Sequence, residues 1–393
     1  MKFTKKLMAA AVMMTVGFAA LTACSAAPSS SSSSGTTIGD TFKIGGDLEL
    51  SGGVSAYGAA IKQGADLAIE EINADGGIDG KKIVMTSKDN KSDNAEAATI
   101  ASNLISNNKV NVIFGPATSG GAMSMLPTAT KSAVGIVSPT ATADAYTVTK
   151  GKVNPYAFRN TFQDSFQGKV LASYVTNNLK AKKVIMYYDN SSDYAKGIEA
   201  AFDKNYDGTI VDKVTFTAGD TDFQATLSKI KGEDFDAIIL PGYYNETGLI
   251  TKQARALGIE APILSGDGAA DPSFVELAGK EAATNVYYVS CYSAEVSLSD
   301  KTADFVKAFK EKYGEDPGMF AALAYDGIYY IKQAQEDSHA KDSKELAAAL
   351  GKVKNFDGIT GEMTIDAEHN PVKSAIVIKL ENGVTTSSEV IKP

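Results

Sequence analysis

Between Phe114 and Thr142, two apolar runs each stop in a turn of small polar residues. Val110-Asn111-Val112-Ile113-Phe114 leads into Gly115-Pro116-Ala117-Thr118-Ser119-Gly120-Gly121, and Ala133-Val134-Gly135-Ile136-Val137 leads into Ser138-Pro139-Thr140-Ala141-Thr142. Apolar runs of that length, a helix-length apart, fit neighbouring parallel strands buried on both faces. In such sheets ligands bind at the carboxyl ends of the strands. Those ends carry the hydroxyls of Thr118, Ser119, Thr140 and Thr142, and free backbone N–H groups where a helix is expected to begin after Ser119. The combination suits a small anion such as a carboxylate. Ser and Thr here also serve simply as helix caps, so the assignment turns on what else converges at the same strand ends.

The chain has 393 residues, more than one core usually serves, so two lobes are expected. An apolar share of 44% with 22% charged residues is that of a globular domain and gives no reason to expect a fibrous or disordered chain. Residues 1–23 stand apart from the globule. Lys2, Lys5 and Lys6 precede an apolar run from Leu7 to Ala20, which is short for a membrane span and has the layout of a secretory signal. It ends in Leu21-Thr22-Ala23-Cys24, which resembles the bacterial lipobox, whose cysteine is acylated on sulfur and becomes the mature N-terminus. From there to Gly39 the chain is built of small and polar residues, with an unbroken serine run from Ser29 to Ser34. Nothing in residues 24–39 buries apolar surface, so they read as a flexible tether. Lipid, tether and globule in that order place the working part on the outer face of the cytoplasmic membrane, held by the lipid alone. Removing residues 1–23, with three lysines and no acids, takes the formal charge from −9 to −12. That balance offers no electrostatic footprint for nucleic acid. The second cysteine, Cys291, follows the apolar Tyr287-Tyr288-Val289 and is expected to be a buried free thiol.

In chain order, Phe42 to Leu50 reads as a strand, followed by the loop Ser51 to Gly58, a helix stopped by Gly76-Gly77, a strand from Lys82 to Thr86, and a helix capped by Asp93 or Asn94. This β-α-β-α-β run makes a parallel sheet with right-handed crossovers. A second such run follows Asn160, with strands at 184–188, 210–216, 237–240, 263–264 and 286–289 between amphipathic helices. The tail adds helices at 301–313, 320–335 and 344–353 and strands near 359–365 and 375–380. That is too much for an appendix, so the chain is expected to cross between lobes more than once, near Phe162, Tyr292 and Asp366. The expected division is 40–161 with 292–365 in one lobe and 162–291 with 366–393 in the other.

Much chemistry is missing. The two histidines, His339 and His369, lie in polar surroundings expected at exposed loops or helix ends, which leaves no base for a Ser-His or Cys-His pair and no zinc-type ligand set. Gly76-Gly77-Ile78-Asp79-Gly80-Lys81-Lys82 is one residue short of a phosphate loop and lacks the Ser or Thr after lysine, so it reads as a turn. The absence of Trp weighs against a sugar site. No cofactor, metal or enzymatic activity is expected.

Further stretches end at the same level. Tyr57 lies in the first loop, Tyr194 follows a strand of the second run, Pro241-Gly242-Tyr243-Tyr244 follows another, and Ser265-Gly266-Asp267-Gly268 the next. Tyrosines at equivalent strand ends, with an acid among glycines, describe a pocket. Here the chain resembles the leucine/isoleucine/valine-binding proteins that serve ABC importers. The likeness rests on Leu50-Ser51-Gly52 with Tyr57-Gly58, on Glu71-Ile72-Asn73-Ala74-Asp75-Gly76-Gly77-Ile78, on Gly115 to Ser119 and on Ser138-Pro139-Thr140-Ala141-Thr142. Gly242-Tyr243-Tyr244 and Gln253-Ala254-Arg255 also match, and the similarity spans nearly all of Phe42 to Leu380.

The resemblance implies a type I periplasmic-binding fold, two doubly wound parallel-sheet lobes joined by a three-crossover hinge that closes on the ligand. It places the α-carboxylate of an amino acid on Ser119, Thr142 and the backbone at Thr140, and the α-ammonium on Asp267 with Thr142. Tyr57, Ala117, Thr118, Tyr194, Tyr243 and Phe320 would line the side-chain pocket. Two departures stand out: the leucine binders typically carry the longer Glu where this chain has Asp267, and Thr118 stands where Gram-negative members have a cysteine of an early disulfide. The implied role is that of a monomeric lipoprotein capturing a neutral aliphatic, branched-chain amino acid for ABC permease subunits. Aromatic walls without a basic residue disfavour acidic ligands. Amides, urea or aromatic acids are the alternative cargo, and a ligand sensor for a membrane receptor the alternative role. Replacing Cys24 with Ala is expected to release the protein from the membrane in soluble form, which fractionation and mass spectrometry of the mature N-terminus test.

Overall fold

The structure, a computed structural model, describes residues 35–392. The expected signal segment 1–23, Cys24 and the serine run Ser29–Ser34 lie outside the described residues. Strands β1 (Thr41–Leu48) and β2 (Lys82–Asp89) pair in parallel around α1 (Ser55–Ala74). Helix α2 (Asn94–Ser106) returns the chain to β3 (Val112–Phe114), and α3 (Ser119–Ser132) to β4 (Gly135–Ser138). Asp93 caps α2 by accepting the Glu96 N–H, and Thr118 caps α3 by accepting that of Gly121. After α4 (Asp144–Thr147) and a hairpin of β5 (Val148–Thr149) and β6 (Lys152–Val153), β7 (Ala157–Arg159) completes a five-stranded sheet in the order β2-β1-β3-β4-β7, parallel throughout. Strand β7 is not announced by the sequence, because an arginine ends it. Arg159 is nevertheless fully buried, its guanidinium donating to the carbonyls of Ala141 and Ala143 and to the Thr147 hydroxyl.

The second run builds α5 (Asp164–Asn177), β8 (Lys183–Asp189), α6 (Asp193–Asn205), β9 (Thr209–Phe216), α7 (Gln224–Ile230), β10 (Ala237–Ile239), α8 (Tyr244–Ala256), β11 (Ile263–Ser265), α9 (Pro272–Ala278) and β12 (Val286–Ser290). The tail supplies α10 (Thr302–Tyr313), α11 (Met319–Ser338) and α12 (Ser343–Leu350). A small sheet follows, of β13 (Phe356–Gly358), β14 (Gly361–Ile365) and β15 (Pro371–Val372), and then β16 (Ala375–Glu381) and β17 (Val384–Ile391). The second large sheet runs β17-β16-β12-β11-β10-β8-β9. The sequence leads to an expectation of a parallel sheet here, but β16 and β17 are antiparallel to their neighbours. The two are joined by Asn382-Gly383, both at positive φ, the pairing that a tight hairpin demands. That dipeptide is a signal for β17 that the sequence reading passed over.

Helices α11 and α12 return to the first sheet. Helix α1 packs along α11 so closely that a Cβ on Gly64 would lie 2.0 Å from the Ala321 carbonyl oxygen. The chain passes between the two large sheets after β7, after β12 and between β15 and β16. The third passage falls between Val372 and Ala375, later than Asp366, because β15 still pairs with β14. The expected tether also ends sooner than Gly39. The Thr36 N–H donates to Ser343 Oγ (2.8 Å) and the Ile38 N–H to the Lys341 carbonyl (2.8 Å), so this segment docks at the start of α12. Cys291 is a buried free thiol, 3.5 Å from Thr161 Oγ1. His339 is exposed at the end of α11, but His369 is half-buried, stacked on Phe158 with ring centroids 4.5 Å apart.

Where the passages meet, buried polar groups form a hydrogen-bonded cluster. Asp326 accepts the N–H groups of Ile359 (2.8 Å) and Thr360 (2.9 Å) and the Thr360 hydroxyl, whose oxygen accepts from the buried Lys373 ammonium (2.7 Å). Lys373 also donates to the Asn160 carbonyl (3.1 Å). We expect Asp326→Ala to lower stability in urea by about 3 kcal/mol, since it strands two buried N–H groups and removes the charge facing Lys373.

Candidate ligand-binding site

The turns after β3, β4, β10 and β11 converge with Tyr57 of α1, Tyr194 of α6 and Phe320 of α11. Around a small space, a cavity of only about 10 Å³, they place Ala117, Ser119, Thr140, Thr142, Tyr243, Asp267 and Gly268. Larger openings lie elsewhere, among them one beside α9 and β16 and one between α10 and α11, but neither of these brings the strand-end hydroxyls and Asp267 together.

Hydrogen bonding sorts these groups by sign. Ser119 Oγ accepts the N–H of Thr142 (3.2 Å) and of Ala143 (3.0 Å), which occupies both its lone pairs and leaves its hydrogen to donate. The Thr140 hydroxyl already donates to the Ala117 carbonyl (3.0 Å), so it has only acceptor capacity left. Tyr194 Oη accepts the Gly268 N–H (2.8 Å), and its ring stacks on Tyr243 at 5.2 Å. Tyr57 comes from the other side: its hydroxyl donates to the Gly268 carbonyl and accepts the Tyr244 N–H (3.1 Å), while its ring stacks on Phe320 at 4.0 Å.

Asp267 sits in a single 3₁₀ turn after β11, almost fully buried. Burial pushes its carboxyl up to about 7, against hydrogen bonds from the Tyr194 hydroxyl and the Gln167 amide that hold it down. The flanking glycines are required by the close approach. A Cβ on Gly266 would lie 2.4 Å from Tyr194 Oη, and one on Gly268 would lie 2.4 Å from the Gly242 carbonyl oxygen.

Thr118 is placed differently from the sequence expectation. Its hydroxyl is turned away from the small space, donating to Glu49 Oε1 (3.0 Å) while it caps α3, and it borders a wider outer opening together with Asp189, Ser192 and Tyr243. The remaining expected site residues all border the small space. Sequence reading passed over Glu49, fully buried, whose two oxygens accept the N–H groups of Ala117 (2.9 Å) and Thr118 (3.0 Å) and thereby hold the turn that carries Ser119. An acid directly after an apolar strand was the available signal. Burial raises the Glu49 carboxyl above its ordinary value, opposed by those N–H groups. Among the described residues no cluster of three His, Cys, Asp or Glu is placed to hold a metal ion, and no helix is long and apolar enough to cross a membrane.

A hydroxyl donor on one sheet's turns and a buried carboxylate on the other's, bordering one small space at the strand ends, are the arrangement of a small-solute binding site. Known proteins agree in class. The periplasmic binding protein family model matches residues 41–384. The chain is 33% identical to the Leu/Ile/Val-binding protein BraC3 of Rhizobium johnstonii, over 82% of this chain and 88% of that one. It also resembles the crystal structure of the branched-chain amino acid transporter substrate binding protein LivJ from Streptococcus pneumoniae in complex with isoleucine. Identity to LivJ is 50% and the TM-score 0.86, with 90% of this chain and 100% of that one covered. The leucine binding protein LivK of Thermotoga maritima follows at 33% identity and a TM-score of 0.85, covering 90% and 99%. The chain belongs to the Leu/Ile/Val-binding protein family, the substrate-binding proteins of branched-chain amino acid ABC transporters, with the type I periplasmic-binding fold. It is a family of solute binders rather than enzymes, and membership implies a place outside the cytoplasm.

A carboxyl whose folded pKa lies above its unfolded value favours the folded state when protonated. The contribution of Asp267 is complete below its ordinary 3.8 and is lost as pH rises through about 7. The ligand-free protein is therefore expected to lose stability between pH 5 and pH 8, with Asp267→Asn removing about 2 to 3 kcal/mol of that loss in urea unfolding. Asp47, raised to about 8 by burial, accounts for a further part that survives the substitution.

Proposed function

We propose that this chain is a lipid-anchored receptor, acylated at Cys24, that captures a free neutral aliphatic amino acid and presents it to the permease subunits of an ABC importer. In this reading the ligand carboxylate lies on Ser119, Thr142 and the backbone at Thr140. The ammonium lies on Asp267 with Thr142, where the acceptor-only oxygen of Thr140 adds a further partner. The aliphatic side chain packs against Tyr57, Ala117, Tyr194, Tyr243 and Phe320. The protein works as a monomer, and its two lobes, residues 40–161 with 292–372 and residues 162–291 with 373–393, close over the ligand.

One observation carries the reading: Ser119, a hydroxyl with both lone pairs occupied, borders the same small space as the buried Asp267 carboxylate. A donor at one end and an anion at the other complement a zwitterion, and each buried charge of the ligand then finds its opposite. The LivJ relative was crystallised with isoleucine. An aromatic acid or an amide would leave Asp267 facing no cation, a costly arrangement for a buried carboxylate.

Calorimetry with Ile, Leu, Val, Ala, Glu, benzoate and urea tests this. Neutral aliphatic amino acids are expected to bind, and Asp267→Asn to weaken them by about 2 to 5 kcal/mol. Asp193→Asn, at an exposed side chain paired with Lys196 (3.0 Å), should cost less than about 1 kcal/mol. Binding of benzoate or urea that is indifferent to Asp267→Asn would move the cargo to another class and leave the family assignment intact.

A further inference from the structure

Beneath Asp267 lies a side chain that does not border the ligand space. Gln167, on α5 and fully buried, meets Asp267 twice. Its Nε2 donates to Asp267 Oδ1 (3.1 Å), and its Oε1 accepts the Asp267 backbone N–H (2.9 Å). A backbone N–H can only donate, so it fixes which end of the amide is oxygen and aims the –NH2 at carboxylates. The same nitrogen reaches Asp164 Oδ1 at 3.4 Å, one turn earlier on the helix. Asp164 is also fully buried, and its Oδ2 has no hydrogen-bond partner among the described residues. Two buried carboxyl groups thus share one amide, and the charge on each disfavours ionisation of the other. The Arg159 guanidinium favours the ionised form of Asp164 by its charge, while its hydrogen bonds run to the carbonyls of Ala141 and Ala143 and to the Thr147 hydroxyl.

We propose that Gln167 is the positioning residue of the ammonium site: its two-point grip occupies Oδ1 of Asp267, fixes the carboxylate's orientation, and leaves the other oxygen to meet the ligand's ammonium. This rests on the reading of Asp267 given above. The grip explains how an Asp, shorter than Glu, is held in place without the freedom of its χ angles. It also supplies hydrogen bonding that favours the ionised form of Asp267 over that of Asp164. The groups facing Asp267 are Asp164 and Gln167 from α5, Tyr194 from α6, Tyr243 at the head of α8, Tyr57 from α1 and Cys291 after β12. None is a cation, so the Gln167 amide and the Tyr194 hydroxyl are the side-chain donors stabilising charge there.

The test is isoleucine affinity by calorimetry from pH 5.5 to 8.5 for wild type, Gln167→Leu, Gln167→Met and Asp267→Asn, with melting curves confirming that each is folded. Wild-type affinity is expected to rise with pH and level off once Asp267 is ionised. Gln167→Leu should weaken binding at least tenfold at pH 7 and move the midpoint of the profile upward by about one unit, with affinity partly recovered at pH 8.5. Gln167→Met, of similar length and without a donor, should behave in the same way. Asp267→Asn should flatten the profile. Equal weakening at every pH, or an unmoved midpoint in both Gln167 variants, would overturn the inference alone. Failure of isoleucine to bind wild type, or binding untouched by Asp267→Asn, would overturn the ammonium reading and this inference with it.

Discussion

Parallel strands that end inside a cleft expose a problem of backbone chemistry: the N–H groups of the turns that follow them are buried and must find acceptors. In this protein side chains supply them. Glu49 takes the N–H groups of Ala117 and Thr118, Ser119 takes those of Thr142 and Ala143, and Gln167 takes that of Asp267. Each of these solutions leaves a definite remainder. Ser119 is left with a hydrogen to give, and Gln167 with an –NH2 directed at a carboxylate. The polarity of the small space follows from how the turns are satisfied.

Electrostatics in the same region is weighted towards acids. Asp47, Glu49, Asp164 and Asp267 are all buried near the strand ends, and desolvation raises each of their carboxyl groups. Further negative charge is disfavoured beside such acids, and a cation at Asp267 would stabilise its ionised form. The cost of holding these acids without a ligand falls on the stability of the empty protein, a common trade at functional sites.

Three passages of the chain between two sheets make a hinge only if the passages are tied together. Thr161 with Cys291 joins the first two, and Asp326, Thr360 and Lys373 bind the third to α11, with Lys373 reaching back to the Asn160 carbonyl. The Tyr57 hydroxyl then bridges from α1 to Gly268 and Tyr244 on the far side of the small space. Several hydrogen bonds tie the passages at one end and those of a single hydroxyl span the other, which suits motion about the tied end.

The order of strands and helices, the parallel first sheet and the convergence of Ser119, Thr140, Thr142, Tyr194, Tyr243 and Asp267 on strand ends were legible in the sequence. Hydrophobic period, glycine-rich turns and caps are local properties, and in a parallel sheet the strand ends share one edge. The Asn382-Gly383 hairpin was equally local and was there to be read. What the tertiary structure alone decided was how each polar group is spent. Thr118 and Ser119 are neighbours with similar hydroxyls, yet one is turned onto Glu49 and the other borders the ligand space, because an acid 69 residues away in sequence lies beneath the first. Gln167 looked like any polar helix residue until α5 was laid against the turn of Asp267, 100 residues on. Sequence determines which atoms can donate or accept; long-range packing determines which partners they meet, and only the unspent capacity is left for a ligand.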